Sequence, residues 1–361
     1  MTAIRNLAGG GAPAAMVALG GPAGDGRALA QRQTEAAVTR REERVVVTVC
    51  TRQRPRMLQS CLHSLAHQSV PDHVSFSIVV VENNESDACR TMVEKLAAQA
   101  GTPSLTYAHE PRIGIPIARN RTLDLALEQD ADWIAFIDDD EVADPHWIAN
   151  LMQAAQTHKA DVLQGRVEWS DEGSGLGRLI RDIRESKSQA RGPTGTRLDM
   201  AATNCTMMRA SIARIDGWGL RFNEAMRFSG GSDSEFFSRA ATRGAVICWV
   251  EEAVVQETMP VERLTLRYQL QRERRGAANN MRLHIRGRGL FSAIRRKGPK
   301  VVLRLMRACV EIPAGLALFA FSRRRGSYLM AIGCRRLSAA LGIFAAFLNI
   351  TLEPYRTTEG Y

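Results

Sequence analysis

The stretch WIAFIDDDEVADPHW, residues 133–147, runs from five largely apolar residues straight into four consecutive carboxylates, Asp138, Asp139, Asp140 and Glu141. An apolar run of that length reads as a buried strand. Charge at its end is costly unless something pairs with it. Asp-x-Asp at a strand end suits Mg²⁺ or Mn²⁺, because a hard cation takes oxygen ligands and needs only one or two protein carboxylates when phosphates and water supply the rest. Asp144 reads differently, as a helix cap with Pro145 at the first helical position.

The neighbouring sequence repeats the same unit. RVVVTVC (44–50) is a β-branched run. After Pro55, RMLQSCLHSLAHQ (56–68) sets Leu58, Cys61, Leu62 and Leu65 on one helical face. SFSIVVV (75–81) precedes the helical DACRTMVEKLAAQA, SLTYAHE (104–110) precedes IPIARNRTLDLALEQ, and DWIAFI (132–137) precedes PHWIANLMQAAQ. Alternation of near-continuous apolar strands with helices predicts an α/β fold with a mostly parallel sheet covered on both faces. Such sheets bind ligands beyond the carboxyl ends of their strands. Thr51-Arg52, Glu82-Asn83-Asn84 and Asp138-Asp139-Asp140 all fall at those ends.

Composition excludes several classes. With 361 residues, 45% of them hydrophobic, the chain can bury a sizeable core. Seven scattered cysteines without a C-x-x-C pair suggest neither a disulfide framework nor a zinc site. His63 and His67 are spaced to share a metal, but no third ligand is apparent. No Walker loop or G-x-G-x-x-G follows a strand, so kinase-like and dinucleotide-dependent readings lack a phosphate cradle. Residues 1–43, rich in Gly and Ala, are expected to be a flexible tail.

TVCTRQRP, VVVENNES, RIGIPIARN, FIDDDE, ATNCTMMR and GGSDSEFFSR occur in the order and approximate spacing of family 2 glycosyltransferases of the GT-A fold. The chain resembles in particular those of bacterial exopolysaccharide assembly, the succinoglycan-type glucosyltransferases. The match spans roughly residues 44–250. The resemblance implies a nucleotide-sugar donor, with Thr51, Arg52 and Glu82 lining the nucleotide pocket and Arg112 and Arg119 near the nucleotide or its phosphates. It implies Asp138 facing the nucleotide sugar and Asp140 holding the metal. Family members usually have Asp where this chain has Glu82. In the second half, Asp233 is the implied general base and Glu235 the reserve, although Ser232 stands where relatives often carry Glu. Asn204, in the TNCTMMR block, belongs to the sugar and acceptor floor. Trp218 reads either as a stacking platform for a pyranose or as core, and Arg119 either as a phosphate contact or as a surface arginine.

The last hundred residues have a different balance. From 260 to 361 there are 20 Lys and Arg against 5 Asp and Glu, a net +15 set against +10 for the whole chain, which leaves residues 1–259 at −5. A catalytic region at 44–259 and a basic, partly apolar helical region at 260–361 are expected. QRERR (271–275) is reminiscent of the Q-x-x-R-W segment of processive synthases, but Arg275 stands in the tryptophan's place, which favours transfer of a single sugar. Uncharged apolar runs at 312–322 and 337–352 fall short of the ~20 residues of a spanning helix. Flanking cations suit helices lying on an anionic membrane surface, peripheral or monotopic, at the cytoplasmic face of the inner membrane. A lipid-linked saccharide is the implied acceptor. Nucleic-acid binding is the competing reading, and a helix pair serving dimerisation or another protein interaction is a third. The arginines of 271–288 carry no interleaved aromatics, so no nucleic-acid partner is expected.

Overall fold

The first strand, β1 (Glu43–Thr51), has Val45, Val46, Val47, Thr48 and Val49 all buried, as a strand covered on both faces must. The structure, a computed structural model, describes residues 41–99, 101–170, 179, 191–258 and 265–348. The expected tail, all but its last three residues, lies outside the described residues. So does the end of the second apolar run, residues 349–352.

The alternating elements follow in order. They are α1 (Pro55–Ala66), β2 (Val74–Glu82), α2 (Arg90–Ala97), β3 (Leu105–His109), α3 (Ile115–Glu128), β4 (Trp133–Asp138), β5 (Glu141–Ala143), α4 (Trp147–His158) and β6 (Val162–Ser170). After these come β7 (Thr206–Arg209), α5 (Ser232–Thr242) and β8 (Ile247–Thr258). One sheet takes all eight strands in the order β3-β2-β1-β4-β7-β6-β8-β5. The β3-β2-β1-β4 half is parallel throughout, so Thr51, Glu82 and Asp138 reach the same edge. β7 enters antiparallel to β4 and β6, β8 returns parallel to β6, and β5 pairs antiparallel with β8. The sheet is therefore mixed and mostly parallel, a GT-A-like architecture.

Strand alternation divides the core in two. Val45, Val47, Val49, Ile78, Val80, Ala135 and Ile137 face α1 and α4, whose Leu58, Leu62, Leu65 and Leu151 complete one cluster. Val46, Val79, Val81, Ile134 and Phe136 face the other way, onto Leu123 and Ala126 of α3 and Phe236 and Phe237 of α5. The predicted buried face of α1 is the observed one. Asp144 departs from its expected role: α4 starts at Trp147, and the Asp144 Oδ1 accepts from the His146 N–H at 3.0 Å. Pro145 thus belongs to a turn ahead of the helix, and the carboxylate closes that turn.

The basic region is three long helices, α6 (Leu266–Arg288), α7 (Leu290–Phe319) and α8 (Arg323–Phe347). Thr265 caps α6, its hydroxyl accepting from the Tyr268 N–H. α8 lies against both others: the Ser338 hydroxyl donates to the Leu270 carbonyl at 2.6 Å, and Arg335 and Arg336 pair with Glu273 of α6 and Glu311 of α7. Gly342 lets α8 approach α6 so closely that a Cβ there would lie 2.0 Å from the Arg274 carbonyl oxygen. The sequence reading saw only broken apolar runs here. The helix continues through Arg335 and Arg336, and α8 is by length and composition long and apolar enough to cross a membrane, with 44% of its apolar window buried.

Candidate active site

The acids of the opening stretch gather at the carboxyl edge of the parallel half-sheet, each held differently. Asp139 is buried and accepts the Thr51 hydroxyl at 2.8 Å and Arg54 Nη1 at 3.1 Å. The same Arg54 nitrogen reaches Asp140 Oδ2 at 3.1 Å. Glu141 is buried and accepts the Asp138 N–H at 2.9 Å through Oε2, while its Oε1 has no hydrogen-bond partner. Asp138 alone opens to the cleft, with 47% of its side chain exposed and Arg119 Nη2 at 3.8 Å. Glu257 of β8, in register with Glu141, adds a fifth carboxylate and accepts Trp169 Nε1 at 2.6 Å.

This crowding governs protonation. Asp138, although its side chain is partly exposed, is set deep in the acidic edge, where loss of solvation raises its pKa to about 6, against the pull of Arg119 and with help from Asp139, Glu257 and Asp233. Burial, then Asp138 and Asp139, raise Asp140 to about 7. Burial likewise lifts Asp139, with Arg54 opposing, and lifts Glu141 well above the usual carboxylate range. Five acids face two arginines, an excess of negative charge that invites a cation.

Among the described residues no three His, Cys, Asp or Glu side chains form a set able to hold a metal ion. A site built on one or two carboxylates and completed by phosphates and water needs no such set. Asp138, partly exposed, and Asp140, held by Arg54, are the carboxylates that fit that kind of site. The price is competition with Arg54 for Asp140.

The other wall comes from α3 and α5. Arg119 is only 12% exposed, lies 5.7 Å from the Phe222 ring centroid and reaches toward Asp138, so it is not a surface arginine. Phe222 stacks on Phe236 of α5 at 4.3 Å, and its backbone is held by the Asn120 side chain of α3, which links the two helices. At the head of α5, Gly231 adopts φ +80°, a conformation that favours glycine. The two acids that follow separate. Glu235 accepts Arg239 Nε and Nη2 at 2.8 and 2.9 Å and is 13% exposed. Asp233 carries no such partner among the described residues, and its charge reaches Asp138.

The remaining predicted residues divide. β7 begins at Thr206, opposite Phe136 of β4, and Asn204 lies in the turn just before it, where its carbonyl accepts from Gln164 Nε2 at 2.7 Å. Arg52 sits on the loop after β1, with its Nε buried and unpartnered. Arg112 is 65% exposed and turned onto Glu110, with both nitrogen–oxygen distances 3.0 Å. Glu82 is fully buried at the end of β2, where Oε2 accepts the Cys89 N–H at 2.9 Å and the Tyr107 hydroxyl at 2.7 Å, and Oε1 has no partner. Trp218 is half-buried and packs on the core cluster beneath α5. The rings of His63 and His67 meet at 4.4 Å, tilted by 53°, on the exposed side of α1.

Arg54 and Glu257 were not singled out in the sequence, and Asn83 entered only as part of the Glu82-Asn83-Asn84 signature. Arg54 lies in the quoted TRQRP block, and its position after the first strand was the available signal. Asn83 donates to the Glu110 and Arg112 carbonyls and accepts the Gly114 N–H at 2.7 Å, stitching the β2 loop to the RIG loop. Glu257 is some 116 residues from the acids it joins, beyond the reach of any local pattern.

A half-parallel sheet with a carboxylate cluster at its carboxyl edge, faced by an acid at a helix head, defines a GT-A glycosyltransferase. The family model Glycosyl transferase family 2 matches residues 45–215. The succinoglycan biosynthesis protein ExoM of Rhizobium meliloti (strain 1021) is 30% identical over 237 residues, 66% of this chain and 74% of that protein. The chain belongs to glycosyl transferase family 2. Among solved structures, the mannosyltransferase PcManGT from Pyrobaculum calidifontis, in complex with GDP-Man and Mn²⁺, superposes with a TM-score of 0.55 at 16% identity, covering 88% of this chain and 94% of that one. S. aureus TarS 1-349 in complex with UDP-GlcNAc gives 0.48 at 15% identity, covering 85% and 92%.

Proposed function

We propose that this glycosyltransferase moves one sugar from a UDP-linked donor to a lipid-linked saccharide, with inversion, during cell-surface polysaccharide assembly. The observation that carries this reading is the contrast at the head of α5: Glu235 is bound by Arg239, while Asp233 has no such partner among the described residues and its charge acts on Asp138. Asp233 accepts the proton of the acceptor hydroxyl as that oxygen attacks the anomeric carbon from the side opposite the nucleotide. Asp138 lines the donor-sugar position, Asn204 of the turn before β7 belongs to the sugar pocket, and Arg119 orients Asp138. Thr51 and Arg54 hold Asp139 and keep the acidic loop folded under the donor. Asp140, with Asp138 beside it, would hold Mg²⁺ or Mn²⁺, which supplies charge for the departing diphosphate. The fold relative solved with GDP-Man and Mn²⁺ is consistent with that assignment.

The acceptor and location rest on the helical region. Between residues 265 and 348 there are 18 basic and two acidic residues, and exposed apolar side chains, among them Phe291, Val302, Met306 and Val310, run along α7. Cations beside apolar surface suit the anionic cytoplasmic leaflet, each contributing about 1 kcal/mol near the surface. Arg275, stacked over Tyr268 at 5.9 Å, stands where processive enzymes carry tryptophan, which supports a single transfer. Incubating the full chain with a panel of nucleotide sugars and membrane lipid extract, then determining the anomeric configuration of the product by NMR, tests the reading. Inversion at one new linkage is expected, and retention or repeated addition would overturn it.

A further inference from the structure

The helical region encloses a feature that catalysis does not use. A cavity of about 420 Å³ opens between α6, α7 and α8, with Arg272, Lys297, Lys300 and Arg304 around it and Ala277, Met281, Ala339 and Ile343 on its floor. The only two acids between residues 265 and 348, Glu273 and Glu311, are already paired with Arg335 and Arg336. Arg272, Lys300 and Arg304 make no ion pair among the described residues. Glu273, which also lines the cavity, is engaged by Arg335, so Arg272, Lys300 and Arg304 leave the cavity net positive beside its apolar side chains, and its volume is within the range of small-ligand sites, roughly 300–1,000 Å³.

Its position links it to the transfer site. Asn279 of α6 donates to the Gly230 carbonyl at 3.0 Å and to that of Ser229 at 3.4 Å, immediately before the helix that presents Asp233. At 3.6 residues per turn, Gly276 and Asn280, which line the cavity, lie about 60° and 100° round α6 from Asn279. One helix thus carries the cavity on one flank and the contact to the Asp233 loop on the next. Val302, Leu303 and Met306 are exposed beside Lys300 and Arg304 and continue the floor as an apolar stripe.

We propose that this cavity binds the diphosphate headgroup of the lipid-linked acceptor, with the lipid chain along the exposed face of α7 and the saccharide directed past α6 toward Asp233. Converging cations match a compact multiple anion, and the apolar floor and stripe match its hydrocarbon. A dispersed anionic surface requires no such convergence: Arg295, Arg296 and Arg323 to Arg325, outside the cavity, already serve it. The inference rests on the lipid-linked acceptor of the proposed function and adds where that acceptor is held.

The test titrates the full-length protein with farnesyl diphosphate, in parallel with inorganic pyrophosphate and with phosphatidylglycerol vesicles, in the wild type and in K300Q/R304Q. R272Q supplies a second, independent wall. Farnesyl diphosphate should bind the wild type and lose at least tenfold in affinity in both variants. Pyrophosphate binding as tightly as farnesyl diphosphate would reduce the site to a free-phosphate pocket. An equal loss on phosphatidylglycerol would reduce it to general surface charge, and undiminished farnesyl diphosphate binding would remove it altogether. Each of these overturns the proposal. Melting temperature and UDP binding are read alongside: the first reports the fold. Loss of UDP binding in the wild type would count against the donor assignment without touching the cavity.

Discussion

Replacing Arg54 by Gln isolates the electrostatics of the acidic loop. Arg54 donates to Asp139 and Asp140, both at 3.1 Å, and both carboxylates are 7% exposed. Two hydrogen bonds to charged groups are worth about 1.5–3 kcal/mol each, and breaking a buried ion pair costs about 3–5 kcal/mol. Arg54 is itself partly exposed, and Asp140 can escape by taking a proton, so the lower end applies: about 3 kcal/mol at about pH 8. The sign with pH follows from the folded values. Asp140 stands near 7 folded against 3.8 unfolded, so folding retains a proton that the unfolded chain releases, and stability falls as pH rises from about 4 through 7. Without Arg54 the carboxylates hold protons more tightly still, so the variant's deficit should be largest at about pH 8 and shrink toward about pH 5.5. Urea midpoints of wild type and R54Q across that range, without added metal, measure it. A deficit that is absent at the alkaline end, or that grows on acidification, refutes this electrostatic reading of the loop.

Other consequences are as direct. Protons compete with a cation for Asp140, so Mn²⁺ affinity measured by calorimetry should rise as pH increases through about 7 and level off above it. D140N should lose transfer and metal-dependent nucleotide binding while its melting temperature holds or rises, because a buried charge has been removed; full activity in excess EDTA would count against the metal. E235Q should destabilise α5 through the lost Arg239 pair yet retain measurable transfer, whereas a dead but stable E235Q would reassign the base. G342L should lower the melting temperature by driving α8 off the Arg274 carbonyl, at a cost of about 1–3 kcal/mol.

The sequence was most informative where structure is local. The β-branched runs and the Leu58–Leu65 stripe define β1, α1 and the parallel half of the sheet, because strand and helix periods differ and each element buries a predictable face. The acids of 138–141 were visible as charge following an apolar run. Their separate partners were not, since Arg54, Arg119 and Glu257 arrive from other elements. Asp233 and Glu235 look equivalent two residues apart; only the fold shows Arg239, one turn on, occupying the second. The continuity of α8 was hidden for a related reason. Arg335 and Arg336 read as an interruption until Glu273 and Glu311, more than twenty residues away, are seen to pair with them.

The role of Asp233 in sugar transfer is tested most directly by single-turnover transfer of labelled sugar to membrane lipid extract, comparing wild type with D233N at saturating donor. The wild type should label the lipid fraction from one nucleotide sugar. D233N should bind that donor equally well and transfer roughly two to four orders of magnitude more slowly. Transfer by D233N at the wild-type rate, or no label in lipid from any donor, would contradict it.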